Sequence, residues 1–303
     1  MRAPGRSCSF IPSSNRLMKP KDVFQLLLLA AIWGSSFLFL RIAAPAIGIT
    51  LTLGLRISIA ALAMVLVFAF VKKLPDYKAY WKQYLVLGFL NLVAPFALVT
   101  FSVANLNASI GAILNATTPL FTMVLSSFWL KEKLSVKKLS GLFIGMAGLT
   151  VLVGWIPIAM TGRTILSVLF SLLASLSYGL GAVYTRIHFR NTDPLQTATG
   201  QLSAAAIVVL PLLIFSGSDN GLDVKIVVVI LALALLCTAL GYALYFKLIS
   251  SIGSTNTSTV TLLVPVFSII WSMLFLHEPI TPALAVGLGL ILGSLKLVLT
   301  SPK

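Results

Sequence analysis

Arg56 is the residue of this 303-residue chain that would cost most to place wrongly. It sits about eight helical rises, roughly 12 Å, inside the apolar run 48–71. At such depth in lipid an arginine must face protein or water and find partners. No carboxylate is available at that depth: Asp22, Asp76, Glu132, Asp193, Asp219, Asp223 and Glu278 all lie outside the deep parts of apolar runs. Two uses satisfy the burial cost. A guanidinium matches planar anions, which makes Arg56 a candidate anchor for a substrate carboxylate or phosphate. Alternatively, it bonds the carbonyls of a broken neighbouring helix.

Pro119 and Pro265 each remove a backbone donor and clash with the carbonyl four residues earlier, at Asn115 and Thr261. Freed acceptors inside a membrane are tolerable beside protein partners or a wet cavity, so both prolines are candidate kinks or hinges. Pro95 frees Asn91 in the same way. The polar stripes Asn115, Thr122, Ser126 and Thr261, Ser268, Ser272 recur at near-helical spacing and suit either a cavity wall or interhelical hydrogen bonds. Trp33, Tyr178, Tyr242 and Tyr245 carry polar handles on aromatic bodies and are candidate cavity-lining residues, with membrane-interface placement as the alternative. Trp271 is a weaker case. Cys8, Cys237, His188 and His277 form no cluster, so neither a disulfide, a metal site nor a cofactor is expected. No constellation for catalysis is expected either, which argues against a lipid-modifying enzyme. A channel would need pore-lining rings or a filter motif.

The elements that must position these residues follow from composition. The chain is 58% hydrophobic and 10% charged, with mean hydropathy +1.03. A soluble domain needs about a quarter of its residues charged. The expectation is an all-α polytopic membrane protein with the lipid bilayer as its solvent. At about 20 apolar residues per crossing, ten runs are readable: 23–43, 48–71, 83–103, 108–130, 137–156, 164–185, 195–215, 225–247, 256–276 and 282–300. Residues 1–22 read as a disordered basic tail, and Met18 is a second candidate start. The first run is too long for a signal-peptide core and is expected to be retained. The net charge of +15 comes from clusters in short connections, a loop pattern rather than a nucleic-acid face. Lys72, Lys73, Lys78 and Lys82, then Lys131, Lys133, Lys137 and Lys138, then Arg186 and Arg190 mark alternate connections. The positive-inside rule therefore places both termini in the cytoplasm.

Residues 95–141 align without gaps on 241–287 at a constant offset of 146. Pro119 matches Pro265, Phe121 matches Phe267, Glu132 matches Glu278 and Gly141 matches Gly287. At offset 145, Trp33-Gly34 and Arg41 match Tyr178-Gly179 and Arg186, and Arg56 matches Gln201. Two halves of five helices, 23–156 and 164–300, must be inverted relative to one another. Inverted repeats build a site near the midplane that opens alternately to either side. Gln201 is polar but uncharged, so the substrate cavity is expected to be asymmetric. Gly141, Gly145 and Gly148 with Gly287, Gly289 and Gly293 are expected to serve close helix packing, between the halves or in a homodimer.

The segments Trp33-Gly34-Ser35-Ser36-Phe37, Leu55-Arg56-Ile57-Ser58-Ile59-Ala60, Thr118-Pro119-Leu120-Phe121 through Leu130-Lys131-Glu132-Lys133-Leu134, and Leu263-Val264-Pro265-Val266-Phe267 through Glu278 resemble the EamA-type permeases of the drug/metabolite transporter superfamily. The resemblance covers residues 20–300. It implies a ten-helix inner-membrane carrier with a central cavity, usually exporting amino acids or related metabolites. His277-Glu278-Pro279 departs from the family's usual Gly-Glu at the end of the ninth run.

Overall fold

The computed structural model describes residues 19–105, 114–133, 135–153, 161–214, 223–276 and 282–299. Most of the basic tail, His277, Glu278, Asp219 and residues 108–113 of the fourth run fall outside that set. All described secondary structure is helical: α1 Pro20–Ile47, α2 Ile49–Phe70, α3 Tyr77–Gly88, a π segment Phe89–Val93, α4 Ala94–Asn105, α5 Thr118–Trp129, α6 Val136–Val153 and α7 Gly162–His188. Then follow α8 Pro194–Ile214, α9 Val224–Leu231, a second π segment Ala232–Leu240, α10 Gly241–Ile252, α11 Ser254–Ser258, α12 Val260–Leu276 and α13 Pro282–Leu299. Six stretches are long and apolar enough to cross a membrane: Pro20–Ile47, Ile49–Phe70, Tyr77–Val99, Gly162–His188, Pro194–Leu213 and Val224–Ile252. Helices α5, α6, α12 and α13 fall on the other four expected runs.

Local chemistry sets the ends. Gly48 turns the chain between α1 and α2 with φ +78°, and Gly253 does the same after α10 with φ +88°; these are left-handed conformations that a Cβ disfavours. The Asp76 and Thr161 side chains cap α3 and α7 by accepting the N–H groups of Ala79 (3.0 Å) and Thr164 (3.2 Å). Pro95 supplies no N–H to the Asn91 carbonyl, and the ladder slips there: the Ala94 N–H reaches back five residues to Phe89. The second π segment, Ala232–Leu240, contains the positions that lie 146 residues after the first. Where the first half has Pro95 the second has Gly241, so the same distortion is reached with a different residue.

The halves interlock rather than stand side by side. Helix α1 packs on α12 and on the second π segment with α10, while α7 packs on α5 and α4; α2 packs on α8 and α6 along α13. Two glycines make the first exchange possible. A Cβ on Gly34 would lie 2.7 Å from the Phe267 Cβ, and one on Gly179 would lie 3.2 Å from the Phe121 Cβ. These are the residue pairs that the repeat equates, so one helix crossing is built twice. Gly141, Gly145 and Gly148 let α6 approach α13 at Ser294, Leu297, Leu290 and Gly287. Gly141, Gly145 and Gly148 therefore serve contact between the halves, whereas Gly289 and Gly293 have nothing within 4 Å.

Candidate substrate-binding cavity

Where α1, α2, α4, α5, α7, α10 and α12 converge, they leave a cavity of about 130 Å³. That is of the order of a space that admits a benzene-sized molecule. Its walls carry Trp33, Arg56, Asn115, Tyr178, Tyr242, Tyr245 and Thr261 together with Phe96, Asn91 and Thr118. Seven of the eight binding residues expected from the sequence thus share one space. Gln201 does not line it. That side chain is fully buried and accepts a hydrogen bond from the Asn91 amide (3.1 Å), so it stands behind a cavity residue.

Arg56 is 5% exposed. Its Nε–H donates to the Thr238 hydroxyl (2.5 Å), which passes its own proton to the Leu233 carbonyl (2.7 Å) inside the second π segment. The guanidinium carbon lies 4.8 Å from the centre of the Phe96 ring. Among the described residues no carboxylate pairs with it and its terminal nitrogens have no acceptor. Arg56 is thus fastened to a distorted neighbouring helix through one nitrogen while it lines the cavity. The bond to the distorted helix runs through the Thr238 hydroxyl rather than directly to a freed carbonyl.

The π segments explain the aromatic residues. Tyr242 donates its hydroxyl proton to the Asn91 carbonyl (2.7 Å), the acceptor that Pro95 strips of its helical partner. The Trp33 indole N–H donates to the Cys237 carbonyl (3.1 Å), and Cys237 occupies the Asn91 position of the second repeat. Each half therefore closes the other half's distorted turn. The aromatic bodies of Trp33, Tyr242 and Tyr245 form one group with ring centres 5.4 to 6.0 Å apart, Tyr242 meeting both others edge-on and Trp33 and Tyr245 tilted by 40°.

The prolines are placed less uniformly than the repeat suggests. Pro265 lies inside α12, whereas Pro119 stands in the first turn of α5, after a break at Ala116-Thr117. The Asn115 carbonyl takes the Thr118 hydroxyl proton instead (2.7 Å). Lower on the stripes, Ser126 leaves the cavity and meets Ser254 (3.3 Å) and Thr255 (3.4 Å). Nearby, Ser251 donates to the Asp22 carboxylate (2.9 Å). These contacts join the first half to the second at the end of the bundle where α5 runs into Lys131. Trp271 lies off the cavity and donates to the Ala31 carbonyl (2.9 Å). The Ser272 side chain lies outside the described residues.

The EamA-like transporter family matches the sequence twice, at residues 21–154 and 165–300. The chain belongs to that family. An EamA-like protein is a transporter and not an enzyme. A Bacillus subtilis (strain 168) relative named uncharacterized transporter YvbV is 30% identical over 230 residues, 75% of this chain and 74% of the relative. The probable amino-acid metabolite efflux pumps of Salmonella typhimurium (strain LT2) and Escherichia coli (strain K12) are each 24% identical over 92% of this chain and 94% of theirs. One solved crystal structure superposes with a TM-score of 0.77 over 92% of this chain and 96% of that one. At 16% identity it shows that the fold is shared.

Phe96, Asn91, Ser36, Thr118 and Ser258 are cavity residues that were not among the expected binding set. Signals for several exist. Pro95 points at Asn91, Phe96 is the repeat counterpart of Tyr242, and Thr118 precedes Pro119. Ser258 belongs to a run of six polar residues, Ser254 to Thr259, all buried. No sequence rule distinguishes that run from a polar surface turn.

Proposed function

We propose that this multi-pass membrane transporter is a secondary carrier that exports small metabolites, such as amino acids and related compounds. In this reading ten transmembrane helices form two inverted halves that rock about the cavity by alternating access. The cell (inner) membrane houses it, with both termini in the cytoplasm as its basic connections suggest.

The observation that carries the reading is that both halves supply the cavity from equivalent positions. Trp33 and Tyr178, Asn115 and Thr261, and Phe96 and Tyr242 are repeat partners, and all six line it. A site on a pseudo-symmetry axis can be presented to either side with little change in its own contacts. Arg56, whose partner Gln201 stands outside the cavity, supplies a single cationic pole. That pole suits a carboxylate or another planar anion. The hydroxyl contacts Ser126–Ser254 and Ser251–Asp22 tie the halves at one end. Under alternating access they part when the cavity opens there.

Flux of radiolabelled amino acids into proteoliposomes tests this. A carrier gives saturable uptake stimulated by unlabelled substrate on the other side. Flux that stays linear in concentration at channel-like rates would refute it.

A further inference from the structure

We infer that the cavity contains an ammonium-reading wall made by Thr118, Ser258 and Thr261, with Asn115 beside them; this rests on the carrier reading above. The basis is an inventory of donors and acceptors. A hydroxyl has one proton and two lone pairs, so a hydroxyl whose proton is committed can only accept. Thr118 donates to the Asn115 carbonyl (2.7 Å), Ser258 to the Thr255 carbonyl (2.8 Å) and Thr261 to the Ser258 carbonyl (2.9 Å). All three line the cavity. They therefore offer it lone pairs and no protons.

Among the described residues the Asn115 side-chain oxygen is buried without a donor. A half-turn about its last torsion exchanges oxygen and nitrogen at little steric cost, so it too can turn an acceptor to the cavity. An unpaired buried acceptor is costly, and a ligand donor relieves it. Donors come from elsewhere. The Trp33 and Tyr242 protons are already committed to carbonyls. Arg56 on α2 brings N–H groups, and Tyr178 and Tyr245 bring hydroxyl protons, that have no acceptor among the described residues.

A ligand that satisfies both sets carries an anion for Arg56 and a compact multi-proton donor for the wall. An ammonium, with three protons and no lone pair, fits the wall. The wall also breaks the repeat symmetry: Thr118 has Val264 as its counterpart, and Ser258 has Ala112. Thr118 and Ser258 are thus the residues that discriminate an amino acid from the corresponding plain carboxylate.

Calorimetric titration of the purified full chain in lipid nanodiscs decides this with two probes, L-leucine and its deaminated analogue 4-methylpentanoate. Wild-type protein should bind leucine at least about tenfold more tightly, since a hydrogen bond to a charged group contributes on the order of 1.5–3 kcal/mol. Thr118→Val and Ser258→Ala should each bring that ratio toward one while leaving 4-methylpentanoate affinity within about twofold. Arg56→Gln should weaken both probes together. A wild-type ratio of one or below, a ratio unchanged in both variants, equal weakening of both probes by them, or no binding to wild type overturns the wall. Titration needs no flux, so a wild-type chain that moves no amino acid refutes the carrier reading separately.

Discussion

Replacing Gly34 by alanine tests how the two halves are joined. The added Cβ would lie 2.7 Å from the Phe267 Cβ, 2.9 Å from the Ser268 nitrogen and 3.1 Å from the Phe267 carbonyl carbon. Non-bonded carbons prefer about 3.5–4.0 Å. The shortfall is close to 1 Å against backbone and Cβ atoms, which no rotamer change relieves, so α1 and α12 must separate. Overpacking costs about 1–3 kcal/mol, and this contact belongs at the upper end. Alanine returns about 1 kcal/mol of helix propensity. The net expected loss is about 2 kcal/mol. At Gly179 the nearest atoms are 3.1, 3.2 and 3.3 Å away, one of them a Leu125 methyl that can yield. There the two effects should nearly cancel. Gly289, with nothing within 4 Å, is the control and should be neutral or slightly stabilised. Thermal unfolding in detergent, followed by size-exclusion chromatography, should rank the alanine variants G34A well below G179A and G179A at or below G289A. Equal melting of G34A and G179A would refute the close-crossing argument.

Other expectations follow from the π segments and the arginine. Tyr242→Phe leaves the Asn91 carbonyl unpaired and should cost about 1–3 kcal/mol. Adding Pro95→Ala restores an N–H for that carbonyl, so the double variant should lose about 1 kcal/mol less than the sum of the two single variants in a thermodynamic cycle. Gln201→Leu removes the partner of the Asn91 amide and should lower the melting temperature while leaving KM within about twofold, because an amide one layer behind the cavity makes no ligand contact. Thr238→Val removes the acceptor that holds the Arg56 Nε–H; it should raise KM about tenfold, about 1.4 kcal/mol of binding free energy, with little effect on expression.

Much of this architecture was legible in the sequence, because lipid permits few backbone solutions and a repeat exposes itself by its offset. The apolar runs, the equivalence of Trp33 with Tyr178 and that of Asn115 with Thr261 all follow from residue types and spacing. The partners of the polar groups do not. Gln201 looked like a cavity residue because its counterpart Arg56 is one, yet its shorter side chain stops at Asn91. Pro119 looked like a kink, but the break falls earlier, at Ala116-Thr117, so the proline begins a helix rather than bending one. The second π segment carries no proline and could not be read from sequence. It is recognisable as the first segment's counterpart only once the two are compared in space.

In the proposed mechanism one cavity, anchored by Arg56, is reached from both sides of the membrane in turn. Counterflow of labelled leucine in proteoliposomes, with wild-type and Arg56→Gln proteins at equal inserted amounts, tests it most directly. The expected result is a transient overshoot driven by internal unlabelled leucine for wild type, reduced at least about tenfold in the variant, the loss of a charge-assisted contact. A full overshoot in Arg56→Gln, or a wild-type time course without overshoot, contradicts it.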